Sequence, residues 1–183
     1  MADLVAPGIY TVQGCFSPAE CQGWIAGAGD YEAATIATAK GVVRDAGLRN
    51  NSRAIRDDPA LAADLWQRLR QHVPPFLDGR QAIGVNERFR FYRYDHAQYF
   101  GGHVDGVFRR GNGEESRLTL MVYLNDDFAG GETVFAETVV VPSTGMVLLF
   151  RHELFHEGRP VTAGVKHVLR SDVMYGPVGR LHI

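Results

Sequence analysis

The sequence predicts an α+β fold, a double-sheet jelly roll with N-terminal helices packed on the outer face of one sheet. Three observations predict it. Helical spacing of apolar residues is confined to about the first 80 positions. From Ile83 onward the period of hydrophobicity changes to two. The segments that follow, rich in Val, Phe, Tyr and Leu, are short and set off by Gly and Pro turns. A run of short strands after a helical part suits two sheets that hold a ligand cavity between them. About eight strands are expected between positions 8 and 175.

Taken in order, IYTVQGCF reads as a short strand. SPAECQGWIAGA then starts a helix, with Ser17 as cap, Pro18 in the first turn and Glu20 three residues after the cap. Positions 39–58 mix Gly, Asn and Arg without sustained periodicity and read as a strand fragment with a mobile loop. Asp58 and Pro59 open a second helix, in which Leu61, Leu65, Trp66 and Leu69 recur at helical spacing before Pro74 and Pro75 stop it. In FRFYRYDH, Arg90, Tyr92 and Tyr94 share one side of a strand, and Phe89, Phe91 and Arg93 the other. In LTLMVYL, Thr119, Met121 and Tyr123 face one way while Leu118, Leu120, Val122 and Leu124 face the opposite way. The mixed faces suit a site and the aliphatic faces suit the two helices. Strand signals continue through GGETVFAETVVVPS, GMVLLFRH and KHVLRSDVMY.

At 183 residues one domain is expected, covering 1–183, with a helical part over about 1–80 and a catalytic jelly roll over about 81–178. Hydrophobic residues make up 45%, charged residues 22%, and the formal net charge is −2, the balance of an ordinary globular protein. That charge does not favour nucleic acid as a partner. No apolar run approaches the roughly 20 residues of a membrane helix, and MADLVAPGIY lacks the parts of a signal peptide, so a cytoplasmic location without membrane partners is expected. Cys15 and Cys21 read as reduced structural thiols, and neither reads as a metal ligand.

The chemistry is carried by His103 and Asp105, two residues apart in YFGGHVDG, with His156 fifty-one residues after Asp105 and Lys166 ten further on. Residues at i and i+2 of an extended segment project to the same side, so one imidazole and one carboxylate converge. A second imidazole from a distant strand would complete a set of two His and one carboxylate on one face of an octahedron, the arrangement of non-heme Fe(II) oxygenases. With seven His and twenty-one acidic residues an HxD spacing arises readily by chance. The surroundings therefore decide.

YRYDHAQYFGGHVDG, LTLMVYLNDDFAGGETVF and GMVLLFRHELFHEGRPVTAGVKHVLRSDVMY follow one another in order, and together resemble the prolyl 4-hydroxylase-like branch of the Fe(II)/2-oxoglutarate-dependent dioxygenases. The resemblance covers roughly residues 85–175. It implies the double-stranded β-helix form of the jelly roll, Fe(II) held by His103, Asp105 and His156, 2-oxoglutarate as co-substrate, and O2, with ascorbate as a reductant. It further implies that Lys166 meets the far carboxylate of 2-oxoglutarate, helped by the hydroxyls of Tyr94 and Thr119, with Tyr123 as an alternative donor. A buried ammonium is costly unless an anion neutralises it.

Arg170 shares a face with Lys166 and suits either the metal-proximal carboxylate, an acidic substrate group, or an ion pair with Asp172 or Glu153. His152 and His96 are rival ligands, but only His156 has the Lys ten residues later. His167 and the GGET turn read as structural. Gly106 to Ser116 is the expected lid.

The implied reaction is hydroxylation of an unactivated carbon, of a prolyl or other amino-acyl substrate, coupled to decarboxylation of 2-oxoglutarate to succinate. Arg49, Arg53, Arg109 and Arg110 would equally suit a small acidic metabolite. A non-catalytic metal-binding module, and a cupin-type enzyme that does not use 2-oxoglutarate, are the rival classes. Substrate identity, peptide or small molecule, and oligomeric state are not legible.

Overall fold

The computed structural model describes residues 2–38 and 41–178. Positions 39–40, at the start of the expected loop, lie outside them. The two helices form where the caps place them. In α1 (Pro18–Ala26) the Ser17 hydroxyl accepts from the Glu20 amide and the Glu20 carboxylate accepts from the Ser17 amide at 2.8 Å, so both ends of a capping box are closed. In α2 (Pro59–Leu69) Asp58 Oδ1 accepts from the Leu61 amide at 2.9 Å. The helix ends at Leu69, five residues before Pro74.

Two main sheets face each other. The larger runs, in spatial order, Asp3–Ala6, Ile9–Val12, Val147–Arg151, Glu115–Tyr123, Lys166–Pro177, Arg88–Tyr94, Ser52–Asp57 and Glu32–Ala33, with Arg80–Val85 also paired to the distal half of Lys166–Pro177. The smaller runs Phe100–His103, His156–Gly158, Thr133–Phe135, Thr138–Val140. All the pairings are antiparallel, as jelly-roll sheets require.

Alternation along the central strands sorts their side chains as the period of two predicts. Leu118, Leu120, Val122 and Leu124 are buried with Phe89 and Phe91 against Leu65 and Leu69 of α2. On the opposite face, Tyr92, Tyr94 and Tyr123 join Phe135, Phe150 and Val168 in a second cluster that faces the smaller sheet. The helices therefore cover one side of the large sheet and leave the other for the cavity. Among the described residues the strands number eighteen, against about eight expected. Several are pieces of two or three residues, such as Phe76–Leu77 and Ala129–Gly130, too short for alternation to register in sequence. No described helix is long and apolar enough to cross a membrane, and both cysteines are free thiols.

Candidate active site

The smaller sheet brings the two histidines together. Phe100–His103 pairs with His156–Gly158 so that His103 and His156 are direct cross-strand partners, with ring centroids 4.3 Å apart. The chain then leaves the strand, and the amide of Asp105 donates to the His152 carbonyl at 3.0 Å, which fixes where the carboxylate returns. His103 Nε2 lies 3.7 Å from Asp105 Oδ1 and His156 Nε2 lies 3.8 Å from Oδ2. One ligand atom from each of the three residues lies within 4.8 Å of the others.

Both imidazoles are oriented in the same way. His103 Nδ1 lies 2.9 Å from the Gly101 carbonyl, and His156 Nδ1 lies 2.9 Å from the Leu154 carbonyl. A carbonyl can only accept, so each Nδ1 carries the proton and each Nε2 presents a lone pair to the centre. Burial, and then the neighbouring His156, hold His103 down at about 4, and burial lowers His156 as well, so neither ring is protonated near neutral pH. Burial opposes ionisation of Asp105, but Arg170, the two histidines and the Thr119 hydroxyl outweigh it and hold the carboxyl well below the usual range. Two neutral imidazoles and one carboxylate, converging on a point with one side open to a cavity, fit a divalent iron ion.

That cavity also receives Tyr94, Thr119, Thr133, Lys166 and Arg170. Lys166 is the cross-strand partner of Tyr94 and only 3% exposed. Its Nζ donates to the Gly131 carbonyl at 2.6 Å and lies 5.2 Å and 5.3 Å from the rings of Tyr94 and Tyr123. Burial pushes its pKa down to about 7, with only Glu132 opposing. No ion pair to Lys166 is formed among the described residues. A desolvated ammonium lining a cavity fits a ligand carboxylate.

The other sequence-predicted residues are placed as follows. Thr119 lines the cavity, but its hydroxyl is engaged at the metal end, donating to Asp105 Oδ2 at 2.5 Å and lying 2.9 Å from His152 Nδ1. Tyr123 stands behind the wall, its hydroxyl 2.6 Å from that of Thr133. Arg170 pairs with Asp105 and Asp172, each at 3.1 Å. His96 Nδ1 faces the Thr162 carbonyl outside the cavity, and His167 lines no part of it. Within the expected lid, Arg110 is pinned by Glu114 and Glu87 and Arg109 by Glu115, so neither arginine reaches the cavity.

Several contributors escaped the sequence reading. His152, set aside as a ligand in favour of His156, backs the site: its Nε2 lies 2.8 Å from Ser116 Oγ and its Nδ1 lies 2.9 Å from the Thr119 hydroxyl. Asn125 brackets Lys166, donating to the Val165 carbonyl and accepting from the His167 amide. Its place directly after Tyr123 and Leu124 was the only available signal. GGET is more than a turn, because Gly131 supplies the carbonyl on Lys166 and Thr133 the hydroxyl on Tyr123.

Residues 89–171 match the family model of the 2OG-Fe(II) oxygenase superfamily. Among curated relatives, the chain is similar to a PKHD-type hydroxylase of Stenotrophomonas maltophilia (strain R551-3), 36% identical over 102 residues that cover 46% of this chain and 45% of that protein. A PKHD-type hydroxylase of Paraburkholderia phymatum is 31% identical over 86 residues, 42% of this chain and 38% of that protein. The match thus spans less than half the length of these relatives. Among solved structures, the fold is shared with a Trichoplax adhaerens prolyl hydroxylase in complex with a hypoxia inducible factor peptide fragment, at a TM-score of 0.70 and 15% identity over 93% of this chain and 84% of that one. A Pseudomonas putida prolyl-4-hydroxylase follows at 0.64 and 18%, covering 97% and 96%. The chain therefore has the double-stranded β-helix of the 2OG-Fe(II) oxygenases and resembles their prolyl 4-hydroxylase-like branch.

Proposed function

We propose that this chain is an Fe(II)- and 2-oxoglutarate-dependent hydroxylase of an unactivated carbon, in a prolyl or other amino-acyl substrate. The observation that carries the reading is one cavity with two opposite ends. At one end stand the lone pairs of His103 and His156 and the carboxylate of Asp105; at the other stands the buried ammonium of Lys166, with no ion-pair partner among the described residues. A structural metal site would need only the first end.

His103, Asp105 and His156 would hold the metal, and Lys166 would bind the far carboxylate of 2-oxoglutarate. When bound, the metal and 2-oxoglutarate would activate O2, one oxygen atom going to succinate as CO2 is released and the other supplying the hydroxylation of the substrate carbon. The protein's own share is placement. Gly101 and Leu154 fix the two tautomers, Arg170 and Thr119 hold Asp105 ionised and oriented, and Gly131 and Asn125 hold the strand segment that carries Lys166. Phe100, stacked on His103 at 3.6 Å, and Phe150, edge-on to His156 at 4.5 Å, keep water from the flanks of the two rings.

The test is succinate formation across peptides, free amino acids and small acids, with mass spectrometry for a +16 product. It is paired with anaerobic visible absorption of the protein with Fe(II) and 2-oxoglutarate. No absorption, or full succinate production by Asp105→Ala, would refute the reading.

A further inference from the structure

Beside the metal centre lies a second, more open cavity of about 420 Å3, within the size range of small-molecule sites. It shares His103, Asp105 and Arg170 with the first, so a molecule in it would abut the metal from the side away from Lys166. Its wall is strongly cationic, with Arg49, Arg53, Arg90 and Arg170 against Asp105 as the one acidic residue lining it among the described residues. Two of these charges are accounted for. Arg170 pairs with Asp105 and Asp172, and Arg90 lies 3.8 Å from Asp172.

Arg49 and Arg53 are different, since neither forms an ion pair among the described residues. Arg49 is 4% exposed, its guanidinium stacked between the rings of Tyr92 at 4.4 Å and Phe100 at 4.2 Å. Its Nε donates to Asn51 at 2.7 Å, while its buried Nη2 has no hydrogen-bond partner. Arg53 donates to the Thr35 carbonyl at 3.2 Å and to the Thr35 hydroxyl. Exposed Glu32, opposite it in the strand pair, makes no ion pair with it. Burial and the neighbouring Arg49 together depress its pKa. An orphaned donor on a buried guanidinium is costly to a fold and is relieved by an anion. The planar fork of Arg suits a carboxylate in particular.

We propose that Arg49 and Arg53 form the anion subsite of the substrate, which is a small carboxylate-bearing molecule such as a free or N-acylated amino acid. The carboxylate docks on this wall and the carbon to be hydroxylated lies toward His103 and Asp105. Internal residues of a peptide chain lack that carboxylate. The inference rests on the hydroxylase reading above.

The test uses protein loaded with Fe(II) and 2-oxoglutarate and kept anaerobic, so that the Lys166 end is filled. Calorimetry compares matched acids and amides: L-proline with L-prolinamide, N-acetyl-L-proline with N-acetyl-L-prolinamide, and glutarate with glutaramide. In at least one pair the acid is expected to bind tighter by about tenfold or more, and the preference disappears in Arg53→Gln and Arg49→Met while visible absorption persists. Arg53→Gln guards against misfolding of the more buried Arg49 variant. Equal binding of acids and amides in every pair, a preference that survives both substitutions, or tighter binding of a capped neutral peptide would overturn the inference. If the wild-type protein shows no visible absorption, the hydroxylase reading fails first and the inference falls with it.

Discussion

The guanidinium of Arg170 stands 3.1 Å from Oδ1 of Asp105, so the carboxylate of the proposed metal triad is paired with a cation from its own protein. Arg170 is 8% exposed and also holds Asp172 at 3.1 Å. Removing it leaves buried Asp105 without a guanidinium and Asp172 with only Arg90 at 3.8 Å, which costs on the order of 3–5 kcal/mol. A divalent ion would neutralise one of the two. Arg170→Met is therefore expected to lower the unfolding free energy of metal-free protein by about that amount, with added Fe(II) or Mn(II) restoring more stability than it adds to wild type. Denaturation with and without metal measures both; equal metal increments would count against the pairing.

Thr119 acts on the same carboxylate through Oδ2, at 2.5 Å. Thr119→Val keeps the shape but loses the donor and the link to His152. Metal affinity should fall by roughly 10-fold or more, as for other groups that orient a metal ligand. Co-substrate affinity measured at saturating metal should change less. Competition with a chromophoric chelator reports the first quantity.

If Lys166 holds a carboxylate of 2-oxoglutarate, as proposed, co-substrate binding is pH-dependent. The groups around it are the rings of Tyr94 and Tyr123, the Gly131 carbonyl and, at longer range, Glu132. Burial lowers its pKa to about 7, while the unfolded chain keeps its proton up to about 10.4. Between those values the unfolded state binds more protons than the folded one, so the protein without co-substrate gains stability as pH rises from about 7 toward 10.4. Below 7 both states are protonated and this contribution is flat. A dicarboxylate selects the charged form, so above pH 7 its affinity should fall by about tenfold per pH unit, with uptake of about one proton per ligand at pH 8. Calorimetry in buffers of different ionisation heat reads the proton directly. Lys166→Met should abolish both the pH slope and most of the affinity.

Much of this was legible because it is local or periodic. Alternation placed Thr119 and Met121 on the cavity side, and Leu118 and Leu120 under α2, without reference to any partner strand. The caps at Ser17 and Asp58 need only the next three residues. What alternation could not supply was pairing. His103 and His156 meet through strand register, and only the resemblance, through the Lys ten residues later, singled out His156 over His152. Arg170 could be put on the face of Lys166 by counting, yet its partner Asp105 comes from a loop. Arg49 sits in a stretch with no period at all, and its burial comes from Tyr92 and Phe100 closing over it.

The core offers a control independent of the site. Leu65 and Leu69 of α2 are both fully buried against the aliphatic face of the large sheet. Leu65→Ala should cost about 2–5 kcal/mol in a denaturant titration, and metal and co-substrate affinities of the folded fraction should be unchanged. A loss of affinity there would mean that α2 does more than cover the sheet.

Gly131 joins backbone conformation to the Lys166 end of the cavity. Its φ is +70°, and its carbonyl is the one that Lys166 Nζ meets at 2.6 Å. A Cβ placed there would lie 3.1 Å from Lys166 Cδ, 3.1 Å from Phe128 Cε2 and 3.2 Å from Val161 Cγ2. Phe128 and Val161 are packed against the inner cluster and have little room to retreat; the Lys166 stem is the neighbour best able to move. Gly131→Ala thus carries a left-handed backbone cost of about 1–2 kcal/mol and, separately, pushes the ammonium off its position. The expected outcome is a modest drop in stability together with 2-oxoglutarate binding weakened by about tenfold or more, while affinity for the metal alone stays within about twofold of wild type, since none of His103, Asp105 or His156 touches this turn. Equal loss of metal and co-substrate binding would mean that the turn supports the whole cavity, and not the Lys166 end alone.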